Sequence, residues 1–173
     1  MINLLQSEEH ESFRLHPCAR KALWSPKAFE AVEKAESFGE LVPIAISVLE
    51  FFEEPVTIVS GPISTGGFDS NRDLNIRAFV NAIRHLQAQR RSVFDQTPFE
   101  SALGRFAKQW AKTGGHGYCM PILNDFYGPL FRSGLITTVA FMNGWESSFG
   151  SQWERREARE LGLKVEFLPF IAP

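Results

Sequence analysis

A carboxylate placed just after a glycine-rich turn is the most chemically suggestive feature of this chain. Glu154 follows the run Gly144-Trp145-Glu146-Ser147-Ser148-Phe149-Gly150. Glu154, Ala158 and Leu161 fall at i, i+4 and i+7, which predicts a helix over Ser151 to Leu161 with the three on one face and Gly162 as its stop. That face packs against a sheet if Ala158 and Leu161 are any guide. A first-turn carboxylate there sits beside the loop, with burial raising its pKa and the helix N-terminus favouring its charged form. An ionised, partly desolvated glutamate in a cleft is the kind of nucleophile that forms covalent intermediates. The alternative is equally simple: helix dipoles attract first-turn glutamates that do no chemistry. Both readings stay open on spacing alone.

A second loop, Ser60-Gly61-Pro62-Ile63-Ser64-Thr65-Gly66-Gly67, has small residues that let backbone N–H groups approach an anion, and hydroxyls that add hydrogen bonds. It has neither the GxxxxGK[ST] pattern nor the GxGxxG spacing, so it reads as a ligand loop or as an ordinary tight turn. Trp145 lies in the other loop, where it could stack on a base. Glu146 is a rival carboxylate, and His116 in the loop Thr113 to Tyr118 is a weaker ligand contact. The four histidines have no metal-ligand spacing and no serine sits in a GxSxG context, so neither a metal site nor acyl transfer is expected.

These loops need strands and helices to hold them. Val56 to Ser60 is a β-branched run that reads as a buried strand. Ser92 to Phe94, Leu135 to Met142 and Lys164 to Leu168 read as further strands. Helices are predicted from Ser25-Pro26 toward Gly39, from about Leu41 to Phe52, from Asp73 to Gln89, and around Phe99, Leu103, Phe106 and Trp110. Ile122 to Arg132 is weakly helical and interrupted by Gly128-Pro129, and residues 1–20 look loosely ordered. Strands that alternate with helices predict an α/β fold, a doubly wound parallel sheet of four or five strands. The pattern changes at Pro55, which divides the chain into an N-terminal helical extension (1–55) and an α/β domain (56–173).

At 173 residues the chain is long enough to bury a core without metal or disulfide staples. Eighteen Lys and Arg against 20 Asp and Glu leave a formal charge of −2, which gives no general attraction to nucleic acid. No apolar run approaches a membrane span, and Met1 to His10 lacks a basic region preceding an apolar stretch, so neither membrane insertion nor a secretory signal is expected. Cys18 and Cys119 form no CxxC pair, and a reduced, cytoplasmic compartment is the simplest expectation.

Ser60-Gly61-Pro62, Asn75-Ile76-Arg77-Ala78-Phe79 and the run from Gly144 to Glu154, closed by Ala158 and Leu161-Gly162, resemble the nucleoside 2-deoxyribosyltransferase superfamily, in its DUF4406-like branch. The similarity spans roughly Val56 to Leu168. It implies a flavodoxin-like sheet and cleavage or transfer at the N-glycosidic bond of a (deoxy)nucleoside or its 5′-monophosphate, with no cofactor. The spacing of Ser148, Gly150 and Glu154 is similar to that of the related deoxynucleotide N-hydrolases. The resemblance thus implies Glu154 as the nucleophile at the anomeric carbon and Ser148 as a contact to sugar or phosphate. Ser60, Gly61 and Ile63, with Pro62 among them, would line the other wall, where 5′-phosphate binds in nucleotide-using members. The strand start Leu135-Ile136-Thr137-Thr138 lacks the aspartate usual in the family, which leaves Asp125 as the nearby acid to protonate the departing base. The implied partner is a small nucleoside or nucleotide, with no nucleic acid polymer, and a homo-oligomer is expected. The missing aspartate also motivates a non-catalytic nucleotide binder as an alternative. A NAD glycohydrolase, which also uses a glutamate in an α/β sheet, is a third.

Overall fold

The β-branched run after Pro55 forms the central strand of the structure, a computed structural model that describes residues 24–64, 66–68 and 71–173. The expectation for residues 1–20 lies outside the described residues. Four strands, β1 (Val56–Ser60), β2 (Val93–Phe94), β3 (Ile136–Phe141) and β4 (Lys164–Phe167), form an all-parallel sheet in the order β2-β1-β3-β4. The predicted class and strand positions therefore hold. Every residue of β1 is buried, as a strand covered on both faces requires.

Alternation along β1 assigns its faces. Val56 and Ile58 point into a large core built with helices α1 (Pro26–Lys34), α2 (Phe38–Leu49), α4 (Glu100–Lys112), α5 (Gly128–Arg132) and α6 (Phe149–Glu160). Val59 points to the other face, where α3 (Arg72–Ala88) packs through Ala78, Phe79, Ala82, Ile83 and Leu86. Ser60 shares the side of Val56 and Ile58, and so faces the α4 and α6 layer. A register shift between Val56 and Thr57 accommodates an extra residue in β3 and keeps both Ile136 and Val139 in the large core.

The helices before Pro55 belong to this core rather than standing beside it. Leu41, Ala45 and Leu49 are buried together with Ile58, Phe99 and Phe126. Trp24 packs edge-on against Phe99 at 4.8 Å, and its indole N–H donates to the Asp95 carbonyl at 3.0 Å. The change at Pro55 is a change of element type, not a division of the core.

Three local expectations are corrected. Gly39 does not end the first helix; it lies in the first turn of α2. Ser37 caps α2 by accepting the Glu40 N–H, while the Glu40 carboxylate reaches back to the Glu36 N–H at 2.9 Å. Gly128-Pro129 does not interrupt the helical stretch: a π-helical turn runs directly into α5, so Pro129 lies inside a continuous helical segment. The preceding Ile122–Tyr127 is a π-helical turn, a wide turn that commonly marks functional sites. Finally, α6 begins at Phe149, so Glu154 falls in its second turn and Leu161 lies past its end, 39% exposed. The inward face is Gly150, Ser151, Trp153, Glu154 and Ala158.

If α2 is part of the folding unit, truncating its most buried side chain weakens the whole domain. Leu41→Ala should lower the unfolding free energy by about 2–5 kcal/mol. A single urea transition with unchanged slope and an earlier midpoint is the expected record. An unchanged midpoint would make α2 a detachable appendage.

Candidate functional site

In the order β2-β1-β3-β4, the chain leaves β1 toward β2 on one side and returns to β3 on the other. The crevice at the carboxyl ends of β1 and β3 is thus the topological switch point, where open α/β sheets bind ligands. A cavity of about 170 Å³ opens there. Its lining brings together Ser60, Gly61 and Ile63 from the loop after β1, Gln96 and Glu100 from the segment after β2, and Ser148, Gly150, Ser151 and Glu154 from the start of α6. The π-helical turn contributes Ile122, Leu123 and Tyr127, and the glycine-rich loop before it contributes Tyr118.

The two predicted loops are fastened to each other and to α3. Asn75, 1% exposed on α3, donates through Nδ2 to the carbonyls of Ile63 (3.2 Å) and Gly66 (3.0 Å) and accepts the Phe68 N–H at 2.9 Å. Gly67 has φ +70°, and a Cβ there would collide with Asn75 and Pro62, so the turn depends on glycine. Its N–H donates to Ser147 Oγ at 2.9 Å, which joins the first loop to the second. Ser148 then caps α6 by accepting the Ser151 N–H at 3.4 Å, while its side chain also lines the cavity.

Glu154 is 8% exposed and its Oε2 accepts a hydrogen bond from Ser60 Oγ. Burial raises its pKa to about 7; the Ser60 hydrogen bond pulls the other way, and the charge of Glu100 adds to the rise. Glu100 is itself raised by burial, opposed by the Arg72 guanidinium, whose Nη2 lies 3.3 Å from its Oε2. A negative charge on Glu100 in turn helps keep a proton on Glu154. Tyr118 and Tyr127 are held neutral, by burial first and then by these two carboxylates. A Cβ on Gly150 would meet the Tyr118 hydroxyl at 2.7 Å, so glycine at this position makes room for that ring at the cavity mouth.

The structure does not bring every expected residue to this place. Asp125 is exposed on the outer side of the π-helical turn and does not line the cavity, because the wide turn directs Leu123 and Tyr127 inward instead. Trp145 packs against Phe141 (5.2 Å) and Phe167 (6.0 Å) on the β3–β4 side, away from the cavity. Pro62 is buried as support beneath Gly67 and does not line the cavity. Glu146 and His116 are exposed. Several lining residues were not anticipated, among them Arg72, Gln96, Glu100, Tyr118, Tyr127 and Ser151. Glu100 reads in sequence as an ordinary first-turn glutamate of an amphipathic helix, and only the parallel pairing of β1 with β2 carries it to the crevice.

Among the described residues there is no group of three or more His, Cys, Asp or Glu side chains that could hold a metal ion, and no helix is long and apolar enough to cross a membrane. No family model, curated protein or solved structure matches the chain.

The buried carboxyl leaves a thermodynamic signature. Its folded pKa near 7 lies above the ordinary value of 4.5, so folding binds its proton more tightly than the unfolded chain does. The stabilisation is complete below pH 4.5 and is lost as pH rises through about 7. Relative to Glu154→Gln, the wild-type protein should therefore lose stability across that window, at up to about 1.4 kcal/mol per pH unit. Urea titrations of both proteins at several pH values measure this. A pH-independent difference would mean that Glu154 is hydrated and ionised throughout.

Proposed function

We propose that the cavity cleaves or transfers at the N-glycosidic bond of a nucleoside or nucleoside 5′-monophosphate, with Glu154 as the nucleophile. The observation that carries this reading is the buried Ser60–Glu154 pair at the switch point of a parallel sheet, opening onto a cavity that also holds Ser148 and Gly150. The resemblance of the Gly144 to Glu154 run to the deoxyribosyltransferases supports it.

In the proposed reaction an Oε of ionised Glu154 attacks C1′ as the C1′–N bond breaks. The bonding electrons pass to the base nitrogen, and the base takes a proton from water, since Asp125 stands outside the cavity. Water, or a second base, then displaces the carboxylate from C1′ and returns Glu154 to its starting form. Ser60 positions the attacking carboxylate by donating to its other oxygen, and that hydrogen bond favours the ionised form. Ser148 and Ser151 face the same space and offer hydroxyls to the sugar.

A second reading has its own observation. With no carboxyl of Asp125 in reach, the same cavity suits a protein that binds a nucleotide and leaves it intact.

Incubation with a panel of nucleosides, their 5′-monophosphates and NAD, with free base followed by chromatography, separates these readings. Glu154→Gln should lower base release by at least about 10³-fold, the scale on which loss of a nucleophile acts. In the wild type, kcat/KM should rise with pH and level off above about pH 7, as Glu154 becomes ionised. Equal release by both proteins would remove Glu154 from the chemistry. Release from NAD alone would point to a glycohydrolase of that dinucleotide, and tight binding of ligand recovered intact would favour the binder.

A further inference from the structure

The wall of the cavity across β1 from Glu154 has a polar pattern that the proposed reaction does not use. Gln96 is 2% exposed, and its Nε2 donates to the Val59 carbonyl at 2.7 Å. That bond fixes the amide's orientation, because only the nitrogen can donate to a carbonyl. Its Oε1 is therefore an acceptor, buried and without a partner among the described residues, on a side chain that lines the cavity. A buried acceptor left unmatched is costly, and a ligand donor that reaches it recovers that cost. Four residues along the chain, Glu100 adds a carboxylate, an acceptor-only group when ionised. Beside it, 3.3 Å away, Arg72 supplies N–H donors.

This wall thus offers one donor group and two acceptors. We infer that Arg72, Glu100 and Gln96 recognise the Watson–Crick edge of a guanine base. The complement of that set is one acceptor and two donors, and guanine presents it in O6, N1–H and the N2 amino group. O6 faces the Arg72 guanidinium, N1–H and one amino hydrogen face the Glu100 carboxylate, and the second amino hydrogen reaches Gln96 Oε1. Adenine and cytosine would turn a ring lone pair toward Glu100, which repels it. Uracil matches Arg72 and Glu100 but sets its O2 against Gln96 Oε1. Such mismatches set unpaired acceptors against each other and are how a polar site rejects near neighbours.

Glu154 is tied to Ser60 and Gln96 to Val59, consecutive residues of β1, so the carboxyl and the amide are both anchored at the end of that strand. The inference rests on the nucleoside reading in placing the sugar at Glu154.

Calorimetric binding of guanosine, inosine, uridine, adenosine and cytidine to the Glu154→Gln protein, which keeps turnover from interfering, tests the recognition directly. Guanosine should bind about tenfold tighter than inosine, which lacks the amino group, and about a hundredfold tighter than adenosine or cytidine. Adding Glu100→Gln should erase most of this preference. Arg72→Met, at an exposed helix start where folding is safe, should weaken guanosine, inosine and uridine together while sparing adenosine. Adenosine or cytidine binding as tightly as guanosine, a preference that survives Glu100→Gln, or no binding by any of the five would overturn the inference. Base release by the wild type keeps the two claims apart. Guanosine bound with preference but never split defeats the glycosidic reading alone, whereas all bases released equally defeat the recognition alone.

Discussion

The hydrogen bond from Ser60 to Glu154 is the constraint around which this molecule is organised. It joins the end of the central strand to the second turn of α6, and it is made where water is largely excluded. For the hydroxyl to point that way, β1 must keep its alternation, with Val56 and Ile58 on the same side. For the carboxyl to meet it, α6 must start at Phe149, which the Ser148 cap and the Ser147–Gly67 link between loops arrange. A shift of one residue in either element would turn the pair away from each other. Loop, cap and strand register thus serve one short polar contact.

That contact is costly to bury, and the neighbourhood shows how the cost is distributed. Two carboxyls share the cavity, but their surroundings differ. Burial raises both, but Glu100 has a guanidinium beside it that opposes the rise, whereas Glu154 has only a hydroxyl and is raised to about 7. Environments that separate two like groups in this way are the usual basis for giving them different roles. The offset comes from the large apolar core beneath. Phe94, Phe99, Phe126 and Phe131 are each no more than 2% exposed and pack against the layer that carries α4 and the π-helical turn. The unusual number of phenylalanines in this chain thereby supports a polar site that would otherwise be hard to hold dry.

How much of this could be read beforehand depended on distance along the chain. The four strands were legible because β-branched runs bounded by turns are local signals, and the parallel order followed from their alternation with helices. Ser60, Gly61 and Ile63 were legible because they lie at or just past a strand end, and Ser148, Gly150 and Glu154 because they lie on the loop after β3 and the first two turns of the helix it enters. Gln96 and Glu100 were not, since their contribution depends on β2 pairing with β1 rather than with β3. Asp125 was named only as the acid nearest in sequence to a missing aspartate, and nearness along the chain does not say which side of the π-helical turn a side chain occupies. The N-terminal helices looked separable because sequence shows element type but not which core a helix joins.

The sheet also has to stop growing, and β4 shows how. It is an edge strand whose outer backbone groups have no neighbour among the four strands, with Phe167 60% exposed. Such an edge invites an extended segment from another chain to zip onto it. Here Lys164 and Arg91 both bind Glu166, at 2.7 and 2.6 Å, and Pro169 follows shortly after. An incoming strand would have to dock beside a set of fixed charges and a residue that cannot donate to a ladder. Among the described residues no fifth strand covers β4, and its Glu166 is instead tied back across the sheet by Arg91, which also bonds Thr57 of β1.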